Sequence, residues 1–238
     1  REELEKTMRQ VARPSEALER WRASGALAAL VPALVVQPPE AFRAADCLPR
    51  PTLERRPQRL WNRMAAPWLD LDRAAVERGL RALRTSNQET RWIADLAERW
   101  LRLAPALRAA LAHGAPPPSD GTLRRWAADA GRTLAPALLR VAAARFAAER
   151  ALGLAAPGGA AVRSAYRRLV RIAYRDPIAL GDLAVGGRDL QDEVGVPAGP
   201  RLGQILQALL DRVVEDPAAN TRERLLAEAR RLLATPAP

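Results

Sequence analysis

The chain has 238 residues, a formal net charge of +11 at pH 7, 48% hydrophobic but only 4% aromatic residues, one cysteine and one histidine. A single cysteine excludes an intrachain disulfide framework and a cysteine-based zinc site, and a single histidine leaves no Ser/His/Asp constellation to build. No run approaches the roughly 18 consecutive apolar residues of a membrane span and no signal peptide is seen, which points to a cytoplasmic protein without a membrane partner.

Ala, Leu and Arg dominate, the residues with the lowest helix cost, and sustained Val/Ile/Thr alternation is missing. The expected fold class is therefore all-α. The pattern at Arg1-Glu2-Glu3-Leu4 is already that of a mid-helix segment, so the start is read as a fragment boundary. Residues 1–34 read as a helix, a turn and a short helix, with Ser15 as cap, Gly25 as stop, and Leu27, Leu30, Val31 and Leu34 on one apolar face. Residues 35–58, interrupted by Pro38, Pro39, Pro49, Pro51 and Pro57, read as a loop-rich connection in which Cys47 is expected to be a buried, inert thiol. Residues 59–112 suggest three helices, one opened by the capping-box spacing Ser86-Asn87-Gln88-Glu89. The proline run His113–Pro118 marks a joint, after which Asp120 is expected to cap a helix ending near Gly131. Helices at 133–152, 160–175, 200–215 and 221–233 follow, separated by glycine and proline turns.

Charge is uneven along this order. Residues 1–119 carry 20 basic against 14 acidic side chains and residues 176–238 carry 7 against 10, whereas residues 120–175 carry 11 arginines against Asp120, Asp129 and Glu149. Within that block Arg163, Arg167, Arg171 and Arg175 recur every fourth residue, with Arg168 beside them and no acid between Gly158 and Arg175. On a helix they span roughly 18 Å along one flank, opposite Tyr166, Leu169, Val170 and Ala173. Solvated faces alternate sign to gain i,i+4 pairs, so an unbroken arginine row points to a polyanion. A membrane surface would require a broad apolar face with exposed aromatics, and here only Tyr166 and Tyr174 are present. The six tryptophans fit core positions, Trp92 and Trp100 at helical spacing.

The most specific stretch is Leu183-Ala184-Val185-Gly186-Gly187-Arg188-Asp189-Leu190, followed by Gly195-Val196-Pro197-Ala198-Gly199-Pro200-Arg201-Leu202-Gly203. It reads as two glycine turns, the second opening a helix with proline at its first position. The amides of Arg201, Leu202 and Gly203 would face outward and receive a phosphate, and Gly199 and Gly203 would admit another backbone closely. The alternative is helix packing with no ligand.

This stretch, with Asn220 and the final helix, resembles the tail of bacterial CCA-adding tRNA nucleotidyltransferases and their poly(A) polymerase relatives. The pattern there is Leu-x-Val-x-Gly-x-Asp-Leu, then Gly-x-x-x-Gly-Pro-x-Leu/Ile-Gly. Arg13-Pro14-Ser15-Glu16-Ala17-Leu18, Ser24-Gly25-Ala26-Leu27, Ser86-Asn87-Gln88-Glu89 and Ser119-Asp120 with Leu123-Arg124-Arg125-Trp126 are similar to the neck and body of the same family. The resemblance implies an elongated multi-helix arm: the end of a neck over 1–34, a helical body over 35–118 and an RNA-binding tail over 119–238. It implies tRNA as partner, held through Arg163, Arg167, Arg168, Arg171, Arg175, Gly199, Arg201, Leu202 and Gly203. It further implies a catalytic head, in cis or in trans, that uses Mg²⁺ and CTP or ATP. The head's glycine turn and Asp-x-Asp metal pair and the neck's Glu-Asp-x-x-Arg do not occur here, so no catalytic or metal-binding residue is expected. Asp70-Leu71-Asp72 has the letters of the pair without the preceding glycine turn, and His113 reads as a solvated loop residue. Readings left open are a poly(A) polymerase of the same superfamily and a non-catalytic helical protein that binds RNA or a partner.

Overall fold

A computed structural model describes residues 1–51 and 57–234. The described residues form α-helices and short 3-10 turns with no strand, so the chain is all-α. The helices are α1 (Glu2–Gln10), α2 (Pro14–Ala23), α3 (Ala26–Leu30), α4 (Pro39–Asp46), α5 (Pro57–Ala65), α6 (Arg73–Ala82), α7 (Asn87–Ala110), α8 (Asp120–Ala130), α9 (Ala135–Ala151), α10 (Gly159–Arg175), α11 (Gly187–Val194), α12 (Pro200–Glu215) and α13 (Arg222–Ala234). They divide into two compact units: residues 1–117 with 136–166, and residues 118–135 with 167–238. Segments 1–34 and 35–118 thus fall almost wholly in the first unit, and segment 119–238 supplies helices to both.

In the first unit Met8, Leu18, Leu34, Phe42, Leu60, Trp68, Ile93, Trp100 and Phe146 are buried together with the alanine-rich face of α9. Its centre also holds a cation. Arg63 has no exposed surface, and its guanidinium donates to the carbonyls of Ala45 (2.9 Å), Met8 (2.6 Å) and Ala12 (3.0 Å). Burial pulls its pKa down, and the three carbonyls keep the fork hydrogen-bonded without a contacting carboxylate. This side chain binds the end of α1, the turn after it and the last turn of α4 to α5. Gly79 in α6 serves a steric role: a Cβ there would stand 2.5 Å from the buried Trp68 ring.

Four local expectations change. The proline-rich stretch 35–58 contains α4, with Pro39 opening that helix and Pro57 opening α5, because proline's missing amide is harmless in a first turn. Residues 52–56 of that stretch lie outside the described residues. Ser15 lies inside α2 and does not cap it; its amide and hydroxyl bond to Asp46 (2.9 and 2.5 Å). Cys47 is exposed just beyond α4, because the short helix turns it away from the Phe42 side. Ser119 caps α8 by accepting from the Thr122 amide (3.1 Å), which leaves Asp120 as the first helical residue. The capping box of Ser86 and Glu89 forms as expected.

The second unit packs Val185, Leu190, Val196, Ile205, Leu209, Val213, Leu225, Leu226 and Ala229 from α11, α12, α13 and their turns into one core, with α8 against α12. Asp182 ties the segment after α10 in place. Burial alone would raise its carboxyl pKa, but bonds from the amides of Ile178 and Ala179 (both 2.9 Å) and from Arg132 (2.6 Å) hold it below the ordinary carboxylate range.

Replacing Arg63 with Ala leaves three buried carbonyls unpaired and is expected to lower the unfolding free energy by roughly 3–5 kcal/mol. Arg63→Lys should recover only part of this, since an ammonium cannot match the planar fork; chemical denaturation of the two variants checks it. Asp182 should stabilise the fold at neutral pH, and its contribution should fade as pH falls below the ordinary aspartate value of ~3.9 toward its lower folded value. The difference in melting temperature between wild type and Asp182→Asn should therefore be largest near pH 7 and shrink at acid pH.

Candidate nucleic-acid interface

The surface formed by α10 follows from its sequence period. Val162, Ala165, Leu169, Ile172 and Ala173 are buried, which fixes the rotation of the helix. Tyr166 and Val170, expected on the buried flank, are half-buried at its margin. Arg163, Arg167, Arg171 and Arg175 are exposed on the opposite side, and among the described residues no carboxylate forms an ion pair with any of them. Arg168 differs: its guanidinium meets Asp120 at the start of α8 at 2.6 Å. The side chain expected beside the row is thus half-buried and neutralised, and acts as a strut between α10 and α8.

Other arginines of the second unit are used by the fold. Arg124 donates to the carbonyl of Val214 (2.7 Å) and meets Asp176 (3.3 Å). Arg132 donates to the Ala173 carbonyl (2.5 Å) at the end of α10 and to Asp182. Arg222 bonds Asp189 (2.8 Å) and Glu193. Against this background the α10 face retains positive charge that no described residue neutralises through an ion pair, and it can receive phosphates.

One residue on this face was missed. Tyr174 is 63% exposed, three positions after Arg171 and seven after Arg167, so it rises among the arginines. An exposed ring between guanidinium groups can stack on a base or a ribose. The i+3 and i+7 spacing was the available signal. The tryptophans offer less: Trp61, Trp68, Trp100 and Trp126 are buried, and Trp21 and Trp92 are half-buried.

At the second candidate, the start of α12, the fold uses the Leu202 amide and the Arg201 side chain. Gly199 adopts φ +134°, where a side chain would be strained, and leads into Pro200. The Leu202 amide donates to the Gly199 carbonyl (3.1 Å), and the Arg201 guanidinium donates to the Leu232 carbonyl (2.8 Å) at the end of α13. Beyond the neighbouring residues of the chain, no atom lies within 4 Å of a Cβ placed at Gly199 or Gly203, so the close approach of another backbone expected there does not occur. The glycine motif itself is a clasp. Asp189 accepts from the Gly186 amide (2.6 Å) and from Arg222, which together lower its pKa, and Asn220 links the Ala184 amide to the Asp182 carbonyl (2.8 Å each).

Asp70 and Asp72 have structural work: Asp70 accepts from Trp100 Nε1 (3.2 Å) and meets Arg145 (2.8 Å), and Asp72 caps α6. His113 is exposed in the turn after α7. Among the described residues no group of three or more His, Cys, Asp or Glu side chains is placed to hold a metal ion, and no helix is long and apolar enough to cross a membrane.

The fold and this face define an all-helical protein with an unneutralised arginine surface. Residues 159–229, which contain that surface and the clasp beyond it, match the family described as tRNA nucleotidyltransferase domain 2. That segment is therefore similar to part of a tRNA nucleotidyltransferase. No curated protein and no solved structure matches the chain.

If the α10 row is unpaired in the free protein, changing Arg167 and Arg171 together to Gln removes like-charge neighbours and nothing else. The melting temperature of that double variant should stay level or rise. Arg132→Gln, which gives up a carbonyl and a carboxylate partner, should lower it.

Proposed function

We propose that this chain is the tRNA-holding C-terminal part of a nucleotidyltransferase that adds CCA, or part of it, to tRNA 3′ ends. One observation carries the reading: the exposed, unneutralised arginine face of α10 lies inside the segment that matches the tRNA nucleotidyltransferase family. The face would track the phosphates of the acceptor and T arms, reading shape and backbone over base sequence. Tyr174 would stack where the backbone turns.

Chemistry is assigned elsewhere. The described side chains offer no metal cluster, and the acids nearest in pattern to a metal pair, Asp70 and Asp72, are held by an indole, an arginine and a helix amide. Mg²⁺ and CTP or ATP would bind a catalytic head, in cis or in trans, while this chain positions the RNA in the cytoplasm.

Binding of the pure chain to tRNA, titrated against salt, tests the proposal. Affinity should be measurable at low salt. The slope of log affinity against log salt should drop by about 0.7–0.9 for each phosphate that the Arg167→Gln/Arg171→Gln variant no longer meets. The weakening should be the same for different tRNAs, and folded tRNA should bind better than single-stranded RNA of equal length. A chain that binds no tRNA at low salt overturns the proposal. Incorporation of labelled CTP or ATP by the chain alone overturns the assignment of catalysis to a separate head.

A further inference from the structure

A second basic feature lies in the first unit, which also holds Arg163, the first residue of the α10 row. A cavity of about 180 Å³ is lined by Leu48, Pro49, Gln58, Arg59, Asn62 and Arg140, with no carboxylate among its described lining. Three donors converge on it. Arg59, half-buried in α5, has no ion-pair or hydrogen-bond partner among the described residues. Asn62 is only 4% exposed; its Oδ1 accepts from Trp92 Nε1 (3.0 Å), and its amide nitrogen has no acceptor among the described residues. Arg140 lies over the Tyr166 ring, 5.3 Å from its centroid, and donates one N–H to the Tyr166 hydroxyl (2.5 Å), which holds its guanidinium at the rim with its other donors unspent.

We propose that this cavity is a phosphate site occupied by a backbone phosphate of the bound RNA. Two guanidinium groups and the unspent amide nitrogen of a buried asparagine select an anion with several acceptor oxygens, and the planar forks suit phosphate geometry. The volume, about six waters' worth, admits a phosphate group. Its occupant follows from Tyr166. That residue is one helical turn from Arg163, with Cβ atoms about 5–6 Å apart, so Arg163 and the cavity rim adjoin within this unit. The choice of RNA as occupant rests on the proposed function; the phosphate chemistry stands on the cavity.

The test uses the 238-residue chain with Arg59→Gln, Arg140→Gln and Arg140→Lys. In tRNA binding at low salt, Arg59→Gln should weaken affinity roughly tenfold and reduce the salt slope by about 0.7–0.9 without lowering the melting temperature. Arg140→Gln should weaken binding and reduce the slope likewise, with a small loss of melting temperature because its contacts with Tyr166 go too, and Arg140→Lys should recover the slope because the charge is restored. Wild-type binding with an Arg59→Gln variant of equal affinity and slope overturns the cavity proposal and leaves the proposed function intact. If the wild type binds no tRNA, a parallel arm decides: its melting temperature in inorganic phosphate or pyrophosphate at constant ionic strength. A rise that disappears in Arg59→Gln would keep a phosphate site and overturn its RNA occupant. No rise would overturn the site itself.

Discussion

A buried arginine is tolerated only when the N–H groups of its fork find acceptors, because an unpaired buried charge is among the most destabilising features a core can hold. This chain has 37 arginines and one lysine, and its architecture is ordered by that constraint. Arg63 finds three carbonyls at the meeting of α1, α4 and α5. Arg145 and Arg108 converge on Glu149, which is 3% exposed, and Arg145 also reaches Glu40 and Asp70. In the second unit Arg124 and Arg132 take up carbonyls at the ends of α12 and α10 that helix geometry leaves without partners. Where a chain richer in lysine would leave its cations in solvent, this one uses the planar fork to tie helix ends together.

The functional surface is what remains after that use. Arginines that meet a carbonyl or a carboxylate belong to the fold, and the row Arg163, Arg167, Arg171 and Arg175 meets neither among the described residues. Arg168 illustrates the distinction within a single residue step: 100° further round the helix than Arg167, it reaches Asp120 and is neutralised. The same partition separates the glycine motif from the surface it was expected to join. Asp189, Asn220 and Arg222 form bonds at the surface of the second unit that tie its turns and helices together, so the stretch carrying the strongest family resemblance is a folding device, and the match over residues 159–229 covers both the device and the arginine face.

Much of this was legible along the chain. The all-α class follows from composition and period, since Ala, Leu and Arg favour helix and apolar residues recur at three and four. The rotation of α10 was legible for the same reason, and the Ser86–Glu89 box was legible because both of its bonds are local. Position and polarity are fixed by neighbours three and four residues away, and those neighbours are in the sequence.

Contacts between distant segments were decided only by the tertiary structure. Ser15 has the letters of a helix cap, but it is Asp46, 31 residues on, that takes its hydroxyl. Arg63 looks like a solvated position on an amphipathic helix and is the most enclosed charge in its unit, because three carbonyls from two other segments converge on it. Gly79 looks like a weak point in α6, and the Trp68 ring explains it. The cavity of Arg59, Asn62 and Arg140 spans residues 48 to 140, and nothing in the spacing of those residues announces it. Local periodicity determines which way each helix face turns; which cations are then neutralised depends on the acceptors that folding brings to them.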